Sequence, residues 1–214
     1  KEKLERIATS IRFSLLIAIP AAVAITVLAK PVCNLLFISE DNSLLIRLSM
    51  IGSLAVVFYS LSTVTNAILQ GLNRLDVPIR HAVAALVVHV AVLEVCLMVL
   101  KMGIYSVVIA NIVFALVMCL LNGRAIARFV RYKQEYKKTV FLPALCSVFM
   151  GAAAFGVYKG IYSLLPSHMM HGRLGMAIVV LPSVAVAIVV YALLLVRFRA
   201  VDEDELRGMP GGRK

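Results

Sequence analysis

Six apolar runs of about 17–23 residues are the feature of this sequence that most restricts its fold. An α-helix rises 1.5 Å per residue, so runs of this length match the ~30 Å hydrocarbon core of a bilayer. The chain is 62% hydrophobic and 15% charged, whereas average globular domains are roughly 45–50% apolar and 25% charged. The sequence therefore predicts an all-α integral membrane protein that has the lipid bilayer as its partner. The predicted spans are residues 13–29, 48–69, 82–100, 104–121, 140–158 and 174–196.

The distribution of positive charge predicts which ends of these spans face the cytoplasm. Of the 22 Lys and Arg residues, 17 fall in the predicted inner segments 1–12, 70–81, 122–138 and 197–214. The other five lie in the predicted outer segments. Basic residues favour the cytoplasmic side, so both chain ends are expected there. The same clustering accounts for the net charge of +11, and we expect no nucleic-acid partner.

Residues 1–214 are expected to form a single membrane domain, because no linker long enough to separate two domains is present. Residues 197–214 are expected to form a polar cytoplasmic tail. The boundary between the second and third spans is marked by helix-ending and turn-forming residues, namely Gln70, Gly71, Asn73 and Pro78.

Polar residues inside spans are costly in hydrocarbon, so each is a candidate for function. Glu94 is the one acidic residue within a predicted span, and Asn111 lies at a similar depth on the next span. The two side chains are expected to be able to hydrogen-bond, either as a helix–helix tether or as a proton or cation site in a transport cavity. His89 lies near the middle of the third span, about 140° around the helix from Glu94.

The second span carries a stripe of polar residues about 100° wide. A stripe of this kind faces another helix or a water-filled cavity, not lipid. Packing contact and cavity lining both remain open, and cavity lining would place the stripe on a substrate path. Its members are Tyr59, Ser62, Thr63, Asn66 and Gln70.

Two kinds of backbone feature predict how the spans bend and pack. Pro20 and Pro182 interrupt the first and last spans and are candidate hinges or static kinks. Gly156 and Gly160 form a G-x-x-x-G pattern, which suits the close approach of another helix.

No recognisable catalytic signature is present. The sequence contains no H-E-x-x-H zinc motif, no Walker loop and no nucleophile elbow. The four cysteines are scattered without C-x-x-C spacing, and three of them lie deep in apolar runs. We therefore expect a protein that is not an enzyme and that has no metal site and no cofactor.

Four stretches give the chain a resemblance to a known family. They are residues 14–22, residues 30–37, residues 67–74 with the following Val77 and Pro78, and residues 203–206 with Pro210. On these stretches the chain resembles the C-terminal half of a multidrug/oligosaccharidyl-lipid/polysaccharide exporter, nearest the branch of polysaccharide biosynthesis proteins, stage V sporulation protein B and lipid II flippases. Leu69-Gln70-Gly71 with the downstream Pro78 is the most specific part.

The resemblance implies a two-lobe transporter of fourteen helices in the bacterial plasma membrane, of which this chain would supply the last six. It implies alternating access and export of an undecaprenyl-linked oligosaccharide or peptidoglycan precursor. The N-terminal lobe, preceding in the same polypeptide, is then a partner, and no substrate-binding residue carries over to these positions. Two alternatives remain open: a drug or cation exporter of the same superfamily, which would use intramembrane acids, and a membrane scaffold without transport.

Overall fold

The computed structural model describes residues 2–37, 41–130, 137–164 and 173–198. Within these ranges the chain is helical apart from short turns, and no strand is present. Two wider π-helical segments, Val95–Val99 and Lys137–Phe141, adjoin the α-helices. The α-helices are α1 (Glu2–Val27), α2 (Ala29–Leu36), α3 (Ser43–Gly71), α4 (Asp76–Glu94), α5 (Tyr105–Val130), α6 (Leu142–Leu164) and α7 (Arg173–Arg197). Residues 199–214, which hold most of the predicted tail, lie outside the described residues.

Six of the described helices are long and apolar enough to cross a membrane. They are α1, α3, α4 with the π-helical segment that follows it, α5, α6 and α7. The prediction of an all-α, multi-pass membrane fold is therefore confirmed. Several helices extend beyond the predicted spans; α5, for example, continues to Val130 instead of ending near residue 121. The predicted spans end too early because they were defined by apolar side chains. Polar residues at a membrane boundary can continue the backbone hydrogen bonding of a helix without extending its apolar run.

Helix α1 lies between two groups of helices. On one side it packs against α3, which packs against α5, and α4 packs against α5 at the edge of the bundle. On the other side it packs against α6, which packs against α7, and the short α2 lies on α7. We call α3, α4 and α5 the polar group, and α6 and α7 the apolar group, after the side chains that join them.

The apolar group is joined to α1 and α2 by a core of aliphatic and aromatic side chains. Gly151 on α6 marks a very close approach, since a Cβ at this position would lie 2.9 Å from Cγ1 of Val23 and 3.3 Å from Cγ2 of Val27. Small residues allow membrane helices to pack this closely. The buried members of the core are Leu28, Cys146, Met150, Ala154, Tyr158, Val179, Ala187 and Tyr191.

The G-x-x-x-G pattern does not coincide with this close approach. Nothing lies within 4 Å of a Cβ placed at Gly156 or at Gly160, and both residues are exposed in the described part of the chain. The interface with α1 centres instead on Gly151, because Ala154 and Tyr158 share its face of the helix while Gly156 and Gly160 do not.

The polar group is joined to α1 partly by pairs of hydroxyl groups. Ser14 Oγ on α1 and Ser60 Oγ on α3 share a hydrogen bond of 2.7 Å. Thr26 Oγ1 and Ser53 Oγ share another of 2.7 Å, about three turns further along α1 and about two turns back along the antiparallel α3. These contacts fix the register of α1 against α3, because a hydroxyl pair needs a specific distance and direction, which aliphatic contact does not.

Pro20 breaks the backbone pattern of α1 at a buried position. A proline has no N–H, so the carbonyl of Leu16, four residues earlier, loses its usual helical donor. The hydroxyl of Tyr191 on α7 donates a hydrogen bond of 2.7 Å to this carbonyl. The proline kink is therefore bridged to another helix, as the backbone of a membrane helix requires when a proline frees a polar group.

The turn between α3 and α4 is short and well defined. Asn73 adopts a left-handed conformation with φ 59°, which asparagine tolerates better than most residues. The N–H of Arg74 donates to the carbonyl of Leu69 at 3.0 Å and so closes the end of α3. Asp76 then opens α4 and forms an ion pair with Arg80 at 3.5 Å. We call this end of the bundle the basic end; it is the end predicted to be cytoplasmic.

At the opposite end, the start of α3 is stabilised by a carboxylate. The N–H of Ser43 donates to Oδ1 of Asp41 at 2.8 Å. The hydrogen bonds from Ser43 lower the pKa of Asp41, since they favour its charged form. This contact is fully exposed and lies outside the spans.

Candidate functional site

The most extensive buried polar contact in the described part of the chain centres on Asn122 of α5. Its side chain is completely buried. Nδ2 donates one hydrogen bond to Oγ1 of Thr65 at 3.1 Å and another to Oδ1 of Asn66 at 2.7 Å, both on α3. Oδ1 lies 2.8 Å from Nδ1 of His81 on α4. We call these four residues the polar junction; they join the three helices of the polar group near the basic end.

The donor and acceptor roles in the polar junction follow from the hydroxyl of Thr65. That hydroxyl donates its proton to the carbonyl of Leu61 at 2.7 Å, so towards Asn122 it acts as an acceptor. In this arrangement the amide nitrogen of Asn122 faces Thr65 and Asn66, and its oxygen faces His81. With the amide in this orientation, the N–H at Nδ1 of His81 donates a hydrogen bond to Oδ1 of Asn122. Every hydrogen-bonding group of the Asn122 side chain has a partner.

The positions of these residues explain why they meet. Asn66 and His81 lie on either side of the turn that joins α3 and α4, one to two helical turns from it. The antiparallel α5 runs towards the same end and brings Asn122 level with both. A buried apolar cluster on α1, α3 and α5, which includes Leu69 and Ile126, lies at the same end. Buried next to such a cluster, the amide needs its full set of partners to remain stable.

A second contact between the same three helices lies further from the basic end. The ring of Phe114 on α5 is 6.3 Å from Tyr59 on α3 and 5.9 Å from His89 on α4, measured between centroids. The His89 ring meets Phe114 edge-on at 86°, a favourable geometry for aromatic rings. We call these three residues the aromatic bridge. Seven or eight residues separate it from the polar junction on each helix, a distance of about 10–12 Å.

One nitrogen of the aromatic bridge is enclosed without a partner. Nδ1 of His89 is buried and makes no hydrogen bond with the described residues. A buried polar atom in this state calls for an explanation, such as water or a ligand group. The remainder of the imidazole is partly exposed, so His89 remains a candidate for the transport path.

The predicted stripe on α3 divides between the interior and the surface. Ser62 is buried and Asn66 is half-buried, and Asn66 contacts α5 through Asn122. Ser62 and Thr63 both donate to the carbonyl of Tyr59, at 2.9 Å in each case. Tyr59, Thr63 and Gln70 are exposed. The structure thus gives packing contacts to Ser62, to Asn66 and to one side of the Tyr59 ring, and leaves Thr63 and Gln70 open.

Glu94 and Asn111 are not hydrogen-bonded to each other. Glu94 is the exposed last residue of α4, and its carboxylate has no hydrogen bond or ion pair with any described residue. Asn111 is half-buried on the face of α5 that also holds Ala115 and Asn122. Glu94 lies on the side of α4 opposite the buried Ala85, so it points away from α5.

The two candidate hinge prolines differ in their surroundings. Pro20 is buried, and the carbonyl that it frees is bonded to Tyr191. Pro182 is exposed on α7, and the hydroxyl of the next residue, Ser183, donates to the carbonyl of Val179 at 2.7 Å. Pro182 therefore lies at the surface of the bundle, whereas Pro20 lies where α1 meets α7.

Several positively charged side chains lie at the basic end, on α5 and in the turn between α3 and α4. The guanidinium of Arg74 lies 5.0 Å from the centroid of the Phe129 ring on α5, which holds the α3–α4 turn against that helix. Arg124 and Arg128 are exposed on α5, one turn apart. Among the described residues, no group of three His, Cys, Asp or Glu side chains is arranged to hold a metal ion.

Sequence analysis did not identify three of the four residues of the polar junction as site residues. His81 and Asn122 fell in predicted inner loops, and Thr65 lies beside the polar stripe. The periodicity of α5 could have identified Asn122. The buried residues of this helix continue at helical spacing through Met118, Asn122 and Ile126. Extending the fourth span by two turns would have placed Asn122 on its buried face.

Comparison of the chain with protein-family models, curated proteins and solved structures gave no match.

Proposed function

We propose that this chain is part of a bacterial plasma-membrane flippase that exports an undecaprenyl-linked oligosaccharide or peptidoglycan precursor by alternating access. The class of cargo follows from the resemblance of residues 14–22, 30–37 and 67–74 to that family. In this proposal both chain ends are cytoplasmic, because basic residues are concentrated in the segments that include them. A preceding segment of the same polypeptide supplies the other lobe.

The observation that carries this proposal is the alignment of polar and aromatic side chains on three neighbouring spans. The polar junction and the aromatic bridge form two levels along α3, α4 and α5. Tyr59 of the aromatic bridge and the nearby Thr63 and Gln70 are exposed residues that carry hydroxyl and amide groups. Polar groups at membrane depth mark substrate paths or joints between helices, and this arrangement offers both. The exposed groups suit a polar sugar headgroup.

A flipping assay on the complete polypeptide, reconstituted in vesicles, tests this proposal. The substrate is an undecaprenyl diphosphate disaccharide with a fluorescent group on the sugar, and an impermeant reductant bleaches the fluorophore in the outer leaflet only. We expect the Tyr59→Phe, Thr63→Val, Gln70→Leu triple variant to lower the flipping rate at least fivefold. The control is Tyr162→Phe, an exposed tyrosine on α6 in the apolar group, which should leave the rate unchanged.

Two outcomes of the assay reject the proposal. The first is a rate for the unaltered protein no higher than that of protein-free vesicles. The second is an equal rate for the triple variant and for the control, with both proteins folded by size-exclusion chromatography. A fluorescent phosphatidylcholine in parallel vesicles distinguishes the flipping of lipid-linked sugar from general scrambling.

A specific observation also favours a second candidate, a membrane scaffold without transport. The polar stripe requires a helix partner in that case, and Asn66 has one in Asn122. A scaffold predicts no flipping by the unaltered protein, so the same assay separates the two candidates. The third possibility, a drug or cation exporter, calls for an acid inside a cavity, whereas Glu94 is exposed on the outer side of α4. Unchanged transport by Glu94→Gln argues against ion coupling at this residue.

A further inference from the structure

Glu94 lies on the side of α4 that faces away from the rest of the bundle. Ala85, nine residues earlier, is fully buried where α4 packs on α5. Nine residues at 100° each correspond to two and a half turns, so Glu94 points in the opposite direction. Glu94 lies five residues before Val99, where the apolar span ends, so its Cα lies about 7 Å inside that end.

The surface around Glu94 is broad and apolar. Val83, Val87, Val90 and Met98 share its face of the helix and are exposed, Val87 by 66% and Met98 by 73%. Only 11% of the apolar window of this span is buried inside the structure. A carboxylate without a partner on such a surface is strongly disfavoured in lipid. The residue therefore calls for a polar partner that the described chain does not provide.

An apolar groove lies on the flank of α4, next to the face that carries Glu94. It has a volume of about 330 Å³ and is lined by Val87, Val88, Ala91, Val92, Val95 and Cys96. The π-helical turn begins directly after Glu94, with the N–H of Leu100 donating to the carbonyl of Val95 at 3.1 Å. Wider turns of this kind occur frequently at functional sites. The apolar groove and the carboxylate together offer side-chain packing and one directed polar contact.

We infer that the outer face of α4 is a docking surface for a further transmembrane helix, which brings a lysine, arginine or amide side chain to the depth of Glu94. Charge complementarity selects this occupant. An acyl chain fills the groove but donates nothing to a carboxylate. A second copy of this chain, placed by a two-fold axis along the membrane normal, meets Glu94 with its own Glu94 at the same depth. The surface does not depend on what the protein transports, and this inference stands apart from the proposed function.

Photo-crosslinking in native membranes, with the complete polypeptide, tests the surface. The probe is p-benzoylphenylalanine at Val87, and the control is the same probe at Ile188, which is 65% exposed on α7. We expect the probe at Val87 to give a peptide adduct whose helix carries a Lys, Arg, Asn or Gln at the level of Glu94, as mapped by mass spectrometry. Glu94→Leu should reduce the yield of this adduct about tenfold, and Val90→Leu should not.

Each other outcome overturns the inference. Lipid adducts alone at Val87, in the same proportion as at Ile188, show that the face is open to the bilayer. An adduct of twice the chain mass shows a second copy in place of a donor helix. A peptide adduct with no donor at that depth, or one whose yield does not change in Glu94→Leu, shows that the carboxylate does not select the partner. Glu94→Gln retains hydrogen-bonding capacity and should keep at least half of the adduct yield. It is the control for Glu94→Leu, in which a folding defect could also lower the yield.

Discussion

The two groups of helices on either side of α1 are held by different kinds of contact. The apolar group packs through Gly151, Met150 and Ala154, and the hydroxyl of Tyr191 reaches the α1 backbone. The polar group uses hydroxyl pairs to α1 and the buried amide of Asn122 within itself. Inside a bilayer, lipid tails are as apolar as leucine, so helices associate through close packing and hydrogen bonds. The apolar group is held mainly by close packing, and the polar group depends more on hydrogen bonds.

The difference between the groups concerns specificity more than strength. Close packing tolerates any residue of the right volume, so the apolar group should respond to changes in size. A hydrogen-bonded junction tolerates few replacements, because removing one member leaves the others buried without partners. The polar group should therefore respond to changes in chemistry at constant size. The predictions below separate these two responses.

The largest effect is expected when the closest contact of the apolar group is overfilled. Gly151→Leu places a branched side chain where a Cβ alone would lie 2.9 Å from Val23. Overpacking of this kind costs about 1–3 kcal/mol, and this site should lie at the upper end, at about 3 kcal/mol, because the obstacle lies on a neighbouring helix. The free energy of unfolding in mixed micelles measures the effect. Gly156→Leu is the matched control and should stay within about 0.5 kcal/mol, since its surroundings are open.

A smaller effect of about 2 kcal/mol is expected when Asn122 is replaced by leucine at nearly constant size. The substitution removes three hydrogen bonds and leaves His81 and Asn66 partly unsatisfied. Asn111→Leu, on the same face of α5, is the control and should cost less than about 0.5 kcal/mol. If both variants lowered the free energy of unfolding equally, the hydrogen bonds of Asn122 would make no special contribution. The contrast between the polar group and the apolar group would then fail.

Tyr191→Phe should cost about 1 kcal/mol, because it leaves the carbonyl freed by Pro20 without a donor while keeping the ring. The comparison is Tyr162→Phe, an exposed tyrosine on α6 for which no loss is expected. Thermal unfolding monitored by size-exclusion chromatography reports both variants. A loss for Tyr191→Phe no greater than that for Tyr162→Phe would mean that this hydroxyl does not support the kink.

The smallest effect concerns the hydroxyl pair of Ser14 and Ser60. A double-mutant cycle with alanine at each position should give a coupling energy of about 0.6 kcal/mol, the average for hydrogen bonds between membrane helices. The control cycle pairs Ser14 with Ser163, which bonds to its own helix at Gly160 and should show no coupling. Coupling of the same size in both cycles would contradict a direct contact between α1 and α3.

The sequence predicted the membrane fold well because that fold depends on run length, which is a local property. The position of the polar junction was harder to predict, because it depends on which faces of three helices meet. Asn122 lies past the apolar run of α5, so composition assigned it to a loop although its helical phase places it inside. Glu94 shows the converse limit: its place along the apolar run can be read from the sequence, but the direction in which it points cannot, since that depends on α4 packing against α5.

The central structural claim is that the buried side chain of Asn122 accepts a hydrogen bond from His81 and thereby joins three helices. Solid-state ¹⁵N NMR of the histidine-labelled protein in lipid vesicles measures this directly, with His81→Gln used to assign the signal. We expect a protonated Nδ1 on His81 and a through-space correlation to the side chain of Asn122. A neutral ring with an unprotonated Nδ1, or the absence of any contact with Asn122, would contradict the polar junction.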